Sequence, residues 1–214
     1  MIILTLVFST LLRVGIENFP VFLLPALLAW RFFSVSTSMS LYSIIGNSPL
    51  VTKIYFPRWL LVLSSNLANL IGSSLEFAAL FPLLIALGMK ITYLALLLPV
   101  ILVFEFILII GVSLILAPLN VYYRDVNQVW DIALQIGFFL CPIIYSISLI
   151  PERYVLAYSL NPMTRVIESI RKALYYSTLP TLADFTIILV SGLILLLVGY
   201  LVFRKLEPRF AEEI

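Results

Sequence analysis

Stretches of twenty or more mainly apolar residues recur along this chain, and each is long enough to cross the ~30 Å hydrocarbon core of a bilayer. Four stand out, at residues 20–46, 59–87, 91–117 and 184–203. A fifth, 126–149, is apolar apart from Asn127, Gln128, Asp131 and Gln135 near its start, and Pro142 after Cys141 predicts a break or kink within it. Residues 1–13 are apolar but short: as a helix they reach under about 20 Å at 1.5 Å per residue, the back part of a span whose front is missing. They also lack the basic start and small-residue cleavage site of a signal peptide. The expectation is one all-α integral membrane domain over residues 1–214, with a shortened first helix.

Composition supports the bilayer as solvent. Only 11% of residues are charged and the mean hydropathy is +1.14. A soluble domain carries about 25% charged residues, so this chain cannot cover a globule in water. The 13 Lys+Arg and 11 Asp+Glu nearly cancel, which leaves no basic field for nucleic acid. A single cysteine, Cys141, excludes an intramolecular disulfide and a thiolate zinc cluster, and the absence of histidine removes the commonest general base and metal ligand. No metal site is expected. There is no G-x-x-x-x-G-K-[ST] loop, no G-x-S-x-G and no H-E-x-x-H. The chain is therefore not expected to catalyse a reaction, and any ATP with its Mg is expected on another chain.

The connections differ in kind. Residues 47–58 form a polar loop bounded by Pro49 and Pro57, and 120–125 form a second. Between 150 and 182 lies a longer stretch in which Asn161-Pro162 reads as a helix start, an Asn cap followed by Pro at the first helical position. Met163, Val166, Ile167, Ile170 and Leu174 then share one helical face. Arg165, Glu168, Arg171 and Lys172 share the other, with Glu168 spaced to pair with Arg171 or Lys172. Lys53, Arg58, Arg124, Arg204, Lys205 and Arg209 fall on one side of the membrane if the spans alternate, which makes that side cytoplasmic. Arg153, Arg165, Arg171 and Lys172 on the opposite side oppose that reading.

Several polar and aromatic residues fall inside spans. Glu76 and Glu105 are expected at similar depth on neighbouring antiparallel helices, as a carboxylate pair with no basic partner. They mark either a substrate path or carboxyls bonded within a packed bundle. Arg31 either snorkels or faces a polar interior. Trp30, Phe33, Phe138, Phe139 and Tyr145 are suited to lining a passage for sugar rings, or equally to lipid-facing and interfacial packing.

Asn47-Ser-Pro-Leu-Val-Thr-Lys-Ile-Tyr-Phe-Pro-Arg58 resembles the loop between the second and third helices of ABC-2 permeases, more narrowly those exporting O-antigen, capsule or teichoic-acid polysaccharides. Leu27-Leu-Ala-Trp-Arg-Phe-Phe33 is similar to that family's Trp-x-x-Phe. Leu119-Asn-Val-Tyr-Tyr-Arg-Asp-Val126 is similar to its signature between helices four and five, and Pro142-Ile-Ile-Tyr145 with Leu160-Asn-Pro-Met163 resembles its external gate region. The resemblance implies six helices, a homodimer around a tunnel, and a separate ATP-binding cassette subunit, in the inner or plasma membrane. It implies a lipid-linked glycan as substrate. Asn47, Ser48, Lys53, Tyr55, Phe56, Pro57 and Arg58 are then expected to couple to the ATPase, with Asn120, Tyr123, Arg124 and Asp125 nearby. Pro142, Tyr145, Asn161, Pro162, Arg165, Glu168 and Arg171 are expected in an external re-entrant, amphipathic gate between helices five and six. Trp30, Phe33, Glu76, Phe138 and Phe139 are candidate channel-lining residues. The family's usual amphipathic first helix is missing here. Two other readings are an ABC-2 permease for a drug or lipid, and a membrane enzyme on a lipid-linked substrate with Glu76 and Glu105 as acid and base.

Overall fold

The computed structural model describes residues 18–53, 56–89 and 92–210, and the regular structure in them is entirely helical. The expected partial first span at 1–13, Tyr55 of the 47–58 loop and Lys90 lie outside the described residues. Eight α-helices follow among those described: α1 (Phe19–Tyr42), α2 (Ser48–Lys53), α3 (Trp59–Ala86), α4 (Leu98–Tyr122), α5 (Val126–Leu140), α6 (Glu152–Leu160), α7 (Pro162–Leu174) and α8 (Leu182–Leu206). Among the described residues, four stretches are long and apolar enough to span a bilayer: Phe19–Tyr42, Trp59–Ala86, Tyr93–Tyr122 and Leu182–Arg209.

Two boundaries differ from expectation. The 126–149 segment is not one helix. α5 stops at Leu140, because Cys141 turns extended (φ −90°, ψ 142°) and Pro142 has no N–H to continue the ladder. In the other direction, α4 runs through Pro118 to Tyr122. Asn120 is therefore helical and buried rather than part of a loop, and its Nδ2 donates to the Leu41 carbonyl at 2.8 Å. Only Tyr123 to Asp125 separate α4 from α5. At its far end α3 closes at Gly88, whose φ of 83° lies in the left-handed region that glycine adopts without strain.

α4 is the centre of the bundle, packed against α1, α3, α7 and above all α8. Its crossing with α8 is a backbone-to-backbone approach. A Cβ at Gly199 would lie 2.5 Å from the Gly111 carbonyl oxygen, and one at Gly111 would lie 2.6 Å from the Leu196 nitrogen. Gly192, two turns before Gly199, sits against Ile107 and Leu108 on the same face. Small residues let membrane helices close to this distance, so dispersion and lipid release replace a hydrophobic drive that lipid does not supply. Polar side chains add specificity between α1, α3 and α4. Asn66 Oδ1 accepts from Ser40 Oγ at 3.2 Å and from Ser113 Oγ at 3.5 Å, while its Nδ2 is held by the Val62 carbonyl. By contrast α3 leaves Ile71 and Leu75 about two-thirds exposed, and α8 exposes Leu193, Ile194 and Leu197. Such exposed apolar faces suit lipid as neighbour.

Candidate functional site

The sequence-selected residues collect at the two ends of the bundle and along the face of α1. At one end, α1 gives way to a 3-10 turn (Ile45–Asn47) and then to α2. Asn47 Nδ2 donates to the Ser43 carbonyl at 2.8 Å, and Thr52 Oγ1 to that of Ser48 at 3.0 Å, so local side chains satisfy the carbonyls of this tight corner. Val51 is buried in a small apolar cluster with Ile44, Val62, Val121, Phe203 and Phe210. Leu50 and Lys53 point out from the same short helix and are exposed. Arg58 does not project. Its Nη1 donates to the Glu207 carbonyl at 2.5 Å, its backbone N–H donates to Glu207 Oε1 at 3.2 Å, and its guanidinium lies 5.9 Å from the Phe210 ring centre. Phe56 and Pro57 flank that clamp and line a cleft with it. Tyr123, Arg124 and Asp125 are exposed at the same end, whereas Asn120 ties α4 to the end of α1.

At the opposite end, the charged residues assigned to the 142–171 region fall into two ion clusters, one around Arg171 and one around Asp184. Asn161 caps α7 as the sequence predicts, its Oδ1 accepting from the Met163 N–H at 3.0 Å, with Pro162 at the first helical position. The apolar face of α7 is buried as read from its periodicity. Its charged face is not left to solvent, which corrects the simple amphipathic picture. Arg171 is fully buried. It donates to the carbonyls of Ile143 (2.6 Å) and Tyr145 (3.3 Å), pairs with Glu168 Oε1 (3.0 Å) and lies 3.6 Å from the Phe22 ring centre. Burial lowers the Arg171 pKa and Glu168 raises it again; a guanidinium stays charged through such a contest. Lys172 goes to Asp184 instead. Its Nζ sits 2.6 Å from Asp184 Oδ2, and Arg165 Nη1 sits 2.7 Å from Oδ1. Asp184 is also the N3 residue of a capping box with Thr181 at the start of α8. Sequence reasoning missed Asp184, although Thr181-x-x-Asp184 ahead of an apolar run is a capping-box signal. Tyr145 closes the broken segment back on α5, its hydroxyl 2.8 Å from the Phe139 carbonyl and 3.3 Å from the Tyr158 hydroxyl.

The span residues separate into three groups. Trp30 and Phe33 are buried between α1 and α5, where they meet Phe138 and Trp130 with ring centres 6.2 and 6.3 Å apart. Gly137 makes room for this, since a Cβ there would lie 2.8 Å from the Trp30 ring. Phe139 stacks edge-on against Phe138 and stays 69% exposed. The carboxylates are not the partnerless pair expected. Glu76 forms an ion pair with Arg31 at 2.9 Å between α3 and α1, which also settles where Arg31 points. Glu105 is fully buried in α4 with neither carboxyl oxygen hydrogen-bonded. One group is thus committed to a cation and the other sealed away from solvent. No group of three or more metal-ligating side chains occurs among the described residues.

Close-packed apolar spans, short polar corners at one end and a broken helix with ion clusters at the other define a polytopic membrane protein. Residues 1–175 match the model of the ABC-2 type transporter family, and the chain belongs to that family. It is similar to two O-antigen export system permease proteins RfbA from Klebsiella pneumoniae, each 32% identical over 211 residues covering 96% of this chain and 80% of the relative. It is 29% identical to the protein of the same name from Myxococcus xanthus, over 216 residues covering 100% of this chain and 83% of the relative.

Proposed function

We propose that this chain is the transmembrane subunit of an ABC exporter that moves a lipid-linked polysaccharide across the cell membrane, working as a homodimer with a separate subunit that binds ATP and Mg. The observation that carries the substrate class is the chain-long likeness to permeases named for O-antigen export. In this reading the protomer has six spanning segments, and α2 is the element that seats in the ATPase. Its support is mechanical: α2 is anchored on one side by Val51, backed by the Arg58–Glu207 clamp, and presents Leu50 and Lys53 outward. Basic residues Lys53, Arg58, Arg124, Arg204, Lys205 and Arg209 at that end favour placing it in the cytoplasm. Residues 142–171 form the external gate, and Phe139 gives α5 an exposed aromatic surface suited to sugar rings, backed by Phe138, Trp30 and Phe33.

The exposed residues give the cleaner test, because Arg58 is engaged within its own protomer. In a host lacking its own copy, Leu50→Asp with Lys53→Glu is expected to abolish surface polysaccharide and the co-purification of the ATP-binding subunit. Assembly in the membrane should be unchanged. Surface polysaccharide at the parent level would refute the coupling role of α2, and an unmodified chain that restores no polysaccharide would refute the substrate class.

A further inference from the structure

Where α3 and α8 meet α2's end of the bundle, two cavities share a wall. The outer one, about 670 Å³, is of mixed character and lined by Phe56, Arg58, Trp59, Tyr200, Arg204 and Glu207 among others. The inner one, about 310 Å³, is lined by Trp59, Leu63, Ile110, Leu114, Leu196 and Tyr200, apolar and aromatic side chains alone. Trp59 and Tyr200 belong to both and are themselves partly exposed. The inner cavity runs along spanning helices that present apolar side chains to lipid, and the outer one lies at their ends.

The charges of the outer cleft are unequal. Arg58 spends its backbone N–H on Glu207 Oε1 and one guanidinium nitrogen on the Glu207 carbonyl. Arg204, exposed in the last turn of α8, pairs with no carboxylate among the described residues. Two guanidiniums therefore share the cleft with one carboxylate, the Arg58 guanidinium given to the Glu207 and Val51 carbonyls and Arg204 left without an anionic partner among the described residues, directly beyond a wholly apolar groove. Trp and Tyr at the junction are the side chains that hold the boundary between head groups and acyl chains.

From this we infer a built site for one anionic phospholipid, with the phosphate against Arg204 at the Arg58 end and an acyl chain in the groove between Leu63, Leu114 and Leu196. The complementarity is specific to an amphiphile. A free phosphate leaves the apolar groove empty, and a neutral lipid leaves Arg204 unpaired. The lipid would brace the 56–58 corner against α8. The site depends only on the chain being seated in a membrane, not on what it transports.

The test uses the full chain in nanodiscs of mixed phosphatidylglycerol and phosphatidylcholine, with bromine on the acyl chains of one lipid at a time. Trp30→Phe and Trp130→Phe leave Trp59 as the reporter. Brominated phosphatidylglycerol is expected to quench Trp59 at about fivefold lower mole fraction than brominated phosphatidylcholine, the equivalent of about 1 kcal/mol for one basic side chain against an anionic head group. Arg204→Gln should bring that ratio to one, whereas Lys205→Gln, the same charge change on a neighbouring side chain outside the cleft, should leave it. Mass spectrometry of the chain with all three tryptophans, released from the same nanodiscs, gives a second readout independent of the Trp substitutions. One phosphatidylglycerol should be retained by the parent and by Lys205→Gln, and none by Arg204→Gln. A ratio of one in the parent, or equal losses in the two variants, would overturn the site and leave only the general attraction of a basic surface.

Discussion

Replacing Arg171 by Met tests how the broken end of α5 is held. The arginine is fully buried and serves Ile143, Tyr145, Glu168 and the face of Phe22 at once. Met fills much of the volume but donates nothing. The Glu168 carboxylate, only 12% exposed, is then left near two carbonyls that have lost their donor. Breaking one side of a buried pair costs about 3–5 kcal/mol, and each orphaned acceptor adds about 1–3 kcal/mol before relaxation. Partial solvation of Glu168 argues for the low end, about 5 kcal/mol in all, which is a large part of the stability of a typical domain. For a chain of this length that corresponds to a fall of about 10 °C in melting midpoint. The assay is a thermal series in detergent followed by size-exclusion detection of the intact peak. Glu168→Gln alone should cost less, because Arg171 keeps both carbonyls. The double variant should lose less than the two singles together, since the stranded carboxylate is gone; a coupling of about 1 kcal/mol is expected for groups in direct contact. A melting midpoint within a degree or two of the parent for Arg171→Met, or strict additivity in the cycle, would refute this account.

Two further outcomes follow from packing. Gly199→Ala places a Cβ 2.5 Å from the Gly111 carbonyl and 2.9 Å from Leu114 Cβ, so α8 must move off α4; a loss of about 1–3 kcal/mol is expected in the same thermal assay, while Gly72→Ala, which meets nothing within 4 Å, should cost nothing. Glu105→Leu removes a fully buried carboxyl that no partner satisfies, and should raise the melting midpoint and leave export unchanged; a fall in either would mean that Glu105 has a partner in the working assembly.

Much of the fold was legible because the signals were local or strongly periodic. Span lengths follow from hydrocarbon thickness, the end of α5 from Pro142, and the start of α7 from Asn161-Pro162. The Glu168–Arg171 pair was readable because three residues on a helix are neighbours. What could not be read were contacts between elements far apart in sequence. Nothing local to Asp184 announces that Arg165 and Lys172 end on it, and nothing local to Glu76 says that its neighbour is Arg31 rather than Glu105. The loop expected at 120–125 starts later than read, because the helix before it continues past Pro118. A proline costs one ladder bond, yet α4 carries on through it, buried against neighbours whose packing outweighs that loss. The close approach of α4 and α8 left a faint trace, Gly192 and Gly199 two turns apart in an apolar helix, but the partner Gly111 is identified only by the crossing itself.

The two ends of the bundle differ in stiffness, and that difference gives the proposed coupling a direction. A push on α2 meets Val51, which shares a cluster with Val121 of α4 and Phe203 of α8. Those two helices touch backbone to backbone, so the push reaches the far end as a movement of one body rather than as a bend. There the start of α8 carries Asp184, which holds Arg165 and Lys172 and hence all of α7. Beyond α7 the route narrows to side-chain bonds. Arg171 reaches the carbonyls of Ile143 and Tyr145, and Tyr145 reaches the end of α5 through Phe139. Of α5 only Leu134 is buried, and what holds the helix to α1 lies before the break: Trp130 and Phe138 against Phe33 and Trp30, with Trp130 Nε1 donating to Thr37 Oγ1 at 3.1 Å. On the proposed reading the yielding element is therefore the 141–146 link between α5 and α7. Movement delivered by α4 and α8 is spent on changing the angle of α5, whose exposed face carries Gln128, Asp131, Gln135 and Phe139.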